Sequence, residues 1–473
     1  MDQAEFVVVA NRLPVDRIIE PDGSSHWRTS PGGLVAALEP VMQAVDGAWV
    51  GWPGQADVAL DPFVADDIRL IPVTLSEQEV AEYYEGFSND TIWPLYHDVI
   101  SPPQFHREWW DAFTTVNRRF AEAAAAAVVP NGTVWVHDYQ LQLVPQMLRE
   151  LRLDVTIGYF HHIPFPADGL YAQLPWRKQV LQGLLGADVL GFQRPTDATN
   201  FLNAVRRRLR YEVKSSTVSV PADEETGVPA HAAVARAFPI SIDTEPYRTL
   251  ADDPAIQARA AEIRQSLGDP TTILLGVDRL DYTKGIRHRL KAYGELLDQQ
   301  RIEGEEVTLI QVASPSRERV DAYVHLRDEI ELTVSRINGD HDTVSHSAIR
   351  YLHQGFPREE MAALYLAADV MLVTSLRDGM NLVAKEYIAT RRDSTGVLVL
   401  SEFTGAADEL KQALLVNPHD IEGLKDTMVQ AIEMPRAEQT KRMRALRKRV
   451  FEHDVQAWSH AFMTALAAAR ENQ

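Results

Sequence analysis

Short apolar runs rich in β-branched residues punctuate the whole sequence, and most are apolar throughout instead of alternating with polar residues. In the first half they are FVVVA (6–10), AWVGW (48–52), TVWVH (133–137), VTIGYF (155–160) and ADVLGF (187–192). In the second half they are TTILLGVD (271–278), EVTLIQVA (306–313), DVMLVTS (369–375), GVLVLS (396–401) and ALLVN (413–417). A strand without a polar face must be covered on both sides, which is the condition of a parallel sheet. Longer helical patterns separate the runs, so the expected fold class is α/β, built of βαβ units in doubly wound sheets.

A chain of 473 residues exceeds what one hydrophobic core usually serves. Proline and acidic residues break the pattern at FPISIDTEPY (238–247). The expected division is a Rossmann-like domain over 1–240, a second over 241–455, and a C-terminal helix, 456–473, returning to pack on the first. Two such sheets imply a cleft, with ligands at the carboxyl ends of the strands. The formal net charge is −20, which argues against a nucleic-acid partner, since counterion release needs a basic face. An anionic ligand must therefore be held by a few local cations. The absence of cysteine excludes disulfides, thiolate metal sites and cysteine nucleophiles. No apolar run approaches the length of a membrane span, and the acidic start MDQAEF is unlike a signal peptide. A cytoplasmic location is expected.

The loops after the strands carry the candidate chemistry. Arg12 lies just past the first strand, in ANRLPV, and Gly32 and Gly33 precede a helix in SPGGLVAAL. A glycine pair there either lets backbone N–H groups reach a phosphate or is only a turn. In GVDRLDYTKGI, Arg279 and Lys284 follow a strand directly. They suit a diphosphate leaving group, or they are spent on Asp278 and Asp281. Arg317 in ASPSRERV repeats the placement, and its planar fork suits a phosphate. His137 and Asp138 end one strand, and His161 and His162 end another. Their spacing matches no common metal motif, so contacts to sugar hydroxyls or satisfied packing remain. Asp-x-Asp in GDHDT (339–343) reads as a polar loop. In LRDGMNLVAKEY, Asp378 stands at the mouth of a strand-to-helix turn and Glu386 lies one to two turns inside the helix. The helix start can bind phosphate and the carboxylates can take sugar hydroxyls. A capped helix with a Lys385–Glu386 surface pair would not account for Arg377 and Asp378.

These stretches, with EYYEGFSNDTIWPLYH (82–97), VLGFQ (189–193), RINGDH and GVLVLSEFTGAA, resemble the trehalose-6-phosphate synthases of glycosyltransferase family 20 in order from residue 6 to about 420. The resemblance implies a GT-B fold, two Rossmann-like domains facing each other across a cleft, and a retaining glucosyl transfer from a nucleotide-glucose such as UDP- or ADP-glucose to glucose 6-phosphate. It implies that Arg279 and Lys284 hold the donor diphosphate, and that Gly32 and Gly33 border the donor. Gly379, Met380, Asn381, Leu382, Val383, Ala384 and Lys385 would wrap its diphosphate and ribose, with Glu386 on the ribose hydroxyls. Phe356 would meet the base through its backbone, and Asp378 the transferred glucose. Arg12, Trp52, Tyr84, Trp93 and Arg317 would hold glucose 6-phosphate, while Asp138 and His162 line the glucosyl site. Asp138, His162, Arg279, Lys284 and Asp378 form the expected catalytic set. No cofactor and no metal are expected, because the cations and a helix dipole replace one. A homo-oligomer and a separate downstream trehalose-6-phosphate phosphatase are also expected. Two alternatives are a sibling enzyme with another acceptor, such as glycerol 3-phosphate, and a non-catalytic sugar-phosphate sensor.

Overall fold

Every apolar run named above lies within or overlaps a strand, and most are buried on both faces; Gly47–Trp52, for instance, is buried at all six positions, whereas the edge strand Leu414–Val416 exposes Leu415. The computed structural model describes residues 3–20, 22, 25–30, 35, 38, 42 and 47–471. The chain divides into two units, Met1–Ile240 with Gln456–Gln473, and Ser241–Val455.

The first unit is built on a ten-stranded sheet. Its central strands run parallel in the order His231–Ala237, Val189–Phe192, Thr156–Phe160, Val128–His137, Ala4–Arg12, Gly47–Trp52, Ile68–Pro72. Short antiparallel strands close both edges. The sequence order reverses between Ala4–Arg12 and Val128–His137. The helix Val455–Glu471 packs on this unit: Phe462 stacks on Trp135 with ring centroids 4.6 Å apart, and Trp458 meets Phe160 edge-on at 5.0 Å.

The second unit carries a six-stranded, wholly parallel sheet, in the order Ile349–Leu352, Val307–Ser314, Thr272–Arg279, Val370–Val373, Val397–Ser401, Leu414–Val416. Counted along the chain this is 3-2-1-4-5-6, the doubly wound order, with its reversal between Thr272–Arg279 and Val370–Val373. Each unit therefore has one topological switch point, and ligands of such sheets bind at the strand ends there.

One local expectation is corrected, and one element was not anticipated. GDHDT is not simply a loop: the helix Asp321–His341 runs through Gly339, Asp340 and His341 before ending at Asp342, whose carboxylate accepts from the Ala348 N–H. The aromatic stretch after Glu79 is a wide π-helix, Val80–Ile92, a rare form often found near functional sites. Among the described residues no helix is long and apolar enough to cross a membrane.

Candidate functional site

At the switch point of the second unit, two loops interlock. The turn Tyr282–Lys284 is capped by Asp281, whose carboxylate accepts from the Thr283 N–H. The Leu376 N–H then donates to the Thr283 carbonyl at 2.7 Å, tying the loop after Val370–Val373 to the turn. Across this junction Lys284 Nζ donates to Asp378 Oδ2 at 2.6 Å, with both side chains 13% exposed. Asn381 Nδ2 and Ser375 Oγ donate to the same oxygen. The segment 378–380 is held from its other side, since Gly405 N–H donates to the Asp378 carbonyl and Ala406 N–H to that of Met380.

Asn381 adopts a left-handed backbone (φ 83°), and its side chain accepts from the Ala384 N–H at the start of helix Leu382–Thr390. The N–H groups of Leu382 and Val383 have no acceptor inside the helix. They and the helix dipole make an anion site. Glu386 lies further along, where Oε2 accepts from Tyr365 Oη at 2.7 Å. Burial raises its pKa, against hydrogen bonds from Tyr365 and Tyr247. Phe356 is half-buried, between strand Ile349–Leu352 and helix Arg358–Ala367.

Lys385 requires a correction. Its side chain is not a surface partner of Glu386. It is buried and paired with Glu409 Oε2 at 2.8 Å, and burial lowers its pKa despite that carboxylate. Successive helical residues point about 100° apart, so Lys385 and Glu386 face different surroundings. Only the Lys385 backbone remains for the expected role.

The pairing once open for Arg279 and Lys284 also resolves. Asp278 belongs to the fully buried Arg289, at 2.7 Å. Arg279 is exposed at its strand end. Asp281 is the focus of the cations. It pairs with Arg317 at 3.2 Å and accepts from Tyr323 Oη at 3.1 Å. Burial works to raise its pKa, but Arg317, then Arg279 and Lys284, outweigh burial and hold it below the usual carboxylate value. Arg317 is itself 5% exposed and lies over the Tyr323 ring.

In the first unit Arg12 ends one of the two strands flanking the switch point, and Asp138 follows the other. Arg12 pairs with Asp16 at 2.7 Å and lies over the Trp52 ring, 5.2 Å from its centroid. A side chain at Gly54 would collide with its guanidinium. Tyr84 meets Trp52 at 5.9 Å, while its neighbour Tyr83 is buried and donates to Asn11 Oδ1. Trp93, 4% exposed, stacks on His97 and meets Tyr139.

Asp138 has φ 77° and ψ 171°, a conformation costly for a non-glycine residue. Its N–H donates to the Phe160 carbonyl, its carbonyl accepts from Tyr159 Oη, and its Oδ1 accepts from the His162 N–H. The strain is thus held by bonds to the neighbouring strand. Burial pushes the pKa of His162 and of His161 down to about 3 and lowers that of His137, so all three rings are neutral at pH 7. Among the described residues no group of three or more His, Asp or Glu is arranged to hold a metal ion.

The glycosyltransferase family 20 model matches residues 4–468. The chain belongs to glycosyltransferase family 20. The trehalose-6-phosphate synthase of Mycolicibacterium smegmatis is 54% identical over 469 residues, covering 99% of this chain and 93% of that relative. That of Mycobacterium avium is 56% identical over 469 residues, covering 98% and 95%. A solved α,α-trehalose-phosphate synthase (UDP-forming) from Burkholderia xenovorans in complex with glucose-6-phosphate superposes with a TM-score of 0.88 at 31% identity, over 98% of this chain and 99% of that one. An E. coli structure bound with UDP-2-fluoro glucose gives 0.87 at 32%, over 98% of each chain. The chain is thus an enzyme, a glycosyltransferase of the trehalose-6-phosphate synthase type, and its two doubly wound units are those of the GT-B fold.

Within this family frame, the second unit brings together Arg279, Lys284, Asp378, Asn381 and Arg317, and the first brings together Arg12, Trp52 and Tyr84, and Asp138 with His162. Gly32 and Gly33 lie outside the described residues. Sequence reasoning missed two partnerships. Asp281 was read only as a possible counter-ion, although its place between Arg279 and Lys284 was a signal. His137 was grouped with His161, His162 and Asp138 only as a rejected metal set, as sugar contacts or as packing, and nothing in the spacing announces its ring contact with His162.

Proposed function

We propose that the enzyme moves glucose from a nucleotide-glucose, UDP- or ADP-glucose, to the 1-hydroxyl of glucose 6-phosphate with retention, giving α,α-trehalose 6-phosphate. The observation that carries this is the Lys284–Asp378 contact at the switch point, beside the N-terminus of helix Leu382–Thr390. It sets a cation for a leaving diphosphate beside a carboxylate able to take sugar hydroxyls. The names of the relatives and solved neighbours support the same substrates.

In this reading the bond between the glucosyl C1 and the diphosphate oxygen breaks first, and an oxocarbenium-like centre forms. Arg279, Lys284 and the helix N–H groups stabilise the departing charge, and Asp378 orients the sugar. Arg12 and Arg317 take the acceptor phosphate, while Trp52, Tyr84 and Trp93 bound its ring. Asp138 and His162 line the transferred glucose. The acceptor O1 bonds to C1 on the face the diphosphate leaves, and the departing phosphate oxygen takes its proton. His162 is neutral and serves as a hydrogen-bonding group, not as an acid. The cations and helix dipole do the work a metal would do, so metal independence is part of the proposal. So is a cytoplasmic site of action, with a separate phosphatase removing the phosphate from the product.

The test is a matrix of UDP-, ADP- and GDP-glucose against glucose 6-phosphate and glycerol 3-phosphate, with the product and its anomeric configuration identified. Retained α,α-trehalose 6-phosphate is expected. Product with glycerol 3-phosphate and none with glucose 6-phosphate would overturn the acceptor, and nucleotide release with neither would point to a sensor.

A further inference from the structure

His137 ends the strand Val128–His137, in register with Phe160 on the neighbouring strand. Its ring is fully buried, 4.6 Å from the ring of Trp135 and 6.4 Å from that of Phe160. Its Nδ1 lies 3.0 Å from Nε2 of His162, and its Nε2 has no hydrogen-bond partner. A buried nitrogen without a partner is costly. Phenylalanine would fill this apolar setting without that cost. What phenylalanine cannot do is hold His162.

We infer that His137 is a positioning residue for the transfer: it anchors Nε2 of His162, so that the Nδ1 edge of the half-buried His162 ring is the edge presented to the glucosyl group. Of the two facing nitrogens one carries a proton and the other does not. The tautomer of His137 therefore sets that of His162, and with it whether Nδ1 donates or accepts. His162 is fixed a second time through its backbone N–H on Asp138 Oδ1, so ring and backbone are held by the ends of the same two strands. The inference rests on the reading above that His162 lines the glucosyl site.

The experiment is a double-mutant cycle in the full chain, with His137→Phe, His162→Ala and the pair, measuring kcat and both KM values. Contacting residues couple, so His137→Phe is expected to lower kcat roughly tenfold, and the pair to be no slower than His162→Ala alone. The KM for glucose 6-phosphate should stay unchanged. Ring ¹⁵N spectra of His162 should show one tautomer in the parent and a mixture in His137→Phe. His137→Gln, whose amide keeps one polar contact, should retain most of kcat, and His137→Leu, which removes the contact as phenylalanine does, completes the cycle if the phenylalanine variant does not fold. Losses that multiply in the pair, or parent kcat in His137→Phe, would overturn the inference while leaving the functional reading intact. Parent kcat in His162→Ala would instead remove that reading, and this inference with it.

Discussion

Asp281 is a buried and Glu386 a half-buried carboxylate of the second unit, and their surroundings push them in opposite directions. The Asp281 pKa is lowered, because Arg317, Arg279 and Lys284 outweigh burial. Its contribution to stability is therefore complete above the unfolded value of 3.8 and is lost as pH falls through the folded one. Asp281→Asn leaves Arg317 buried without its counter-charge, so a loss of roughly 3 kcal/mol at pH 7 is expected. Denaturant titrations should show that loss shrinking toward pH 3. Donor and acceptor KM should both rise, since the cations assigned to each share this one anion. Glu386 has a raised pKa, with burial the main cause. It stabilises most when protonated, and that stability is lost as pH rises from the unfolded value of 4.5 through the folded one. Glu386→Gln removes a half-buried charge and keeps an acceptor for Tyr365. Its Tm should rise at pH 7 and match the parent near pH 4, while the KM for nucleotide-glucose rises. An unchanged donor KM would take Glu386 out of the ribose contact.

At the scale of elements, the donor-side geometry depends on one close approach. Gly285 (φ 65°) joins the Lys284 turn to helix Ile286–Asp298, and a Cβ there would lie 2.0 Å from the Thr374 carbonyl oxygen. Gly285→Ala must pay for left-handed backbone, about 1–2 kcal/mol, and also force Thr374 away. Because Thr374 precedes the Asp378 loop, kcat should fall together with Tm. A variant that loses Tm but keeps kcat would show that the loops are not coupled. The major strands were legible in the sequence because uniform apolarity has one cheap solution, burial in a parallel sheet. The strands Ile68–Pro72, His231–Ala237 and Ile349–Leu352 were not, since arginine or histidine interrupts each. Nor was the π-helix, since one extra residue per turn leaves little trace in side-chain type. Residues at strand ends, such as Arg12, Arg279 and Asp378, were readable because topology fixes where a loop must emerge. The partners of Arg317 and Lys385 were not, since Asp281 and Glu409 come from 36 and 24 residues away, and that pairing exists only once the sheet is assembled.

For the molecule as a whole, the path of the chain matters more than any one contact. It leaves the first unit at Ile240 and returns to it at Gln456, so the first sheet is completed by the last helix. That helix replaces side chains the sheet lacks. Cβ atoms at Gly158 and Gly191 would lie 2.8 and 2.9 Å from the Phe462 ring, and the ring also meets Trp135, Phe160 and Phe238. The two glycines thus form a socket for one aromatic residue that is distant in sequence. Emptying it by Phe462→Ala should cost roughly 3–5 kcal/mol, since rigid sheet backbone cannot collapse into the space. The loss belongs to the first unit, and the tryptophan fluorescence of Trp135 and Trp458 reports on that packing. Its unfolding transition should move to lower denaturant, while titration with the nucleoside diphosphate, whose proposed contacts are all in the second unit, should give the parent Kd below that transition. If both signals moved together, the two units would unfold as one cooperative body and the helix would stabilise the whole chain; if neither moved, the socket would be incidental to the fold.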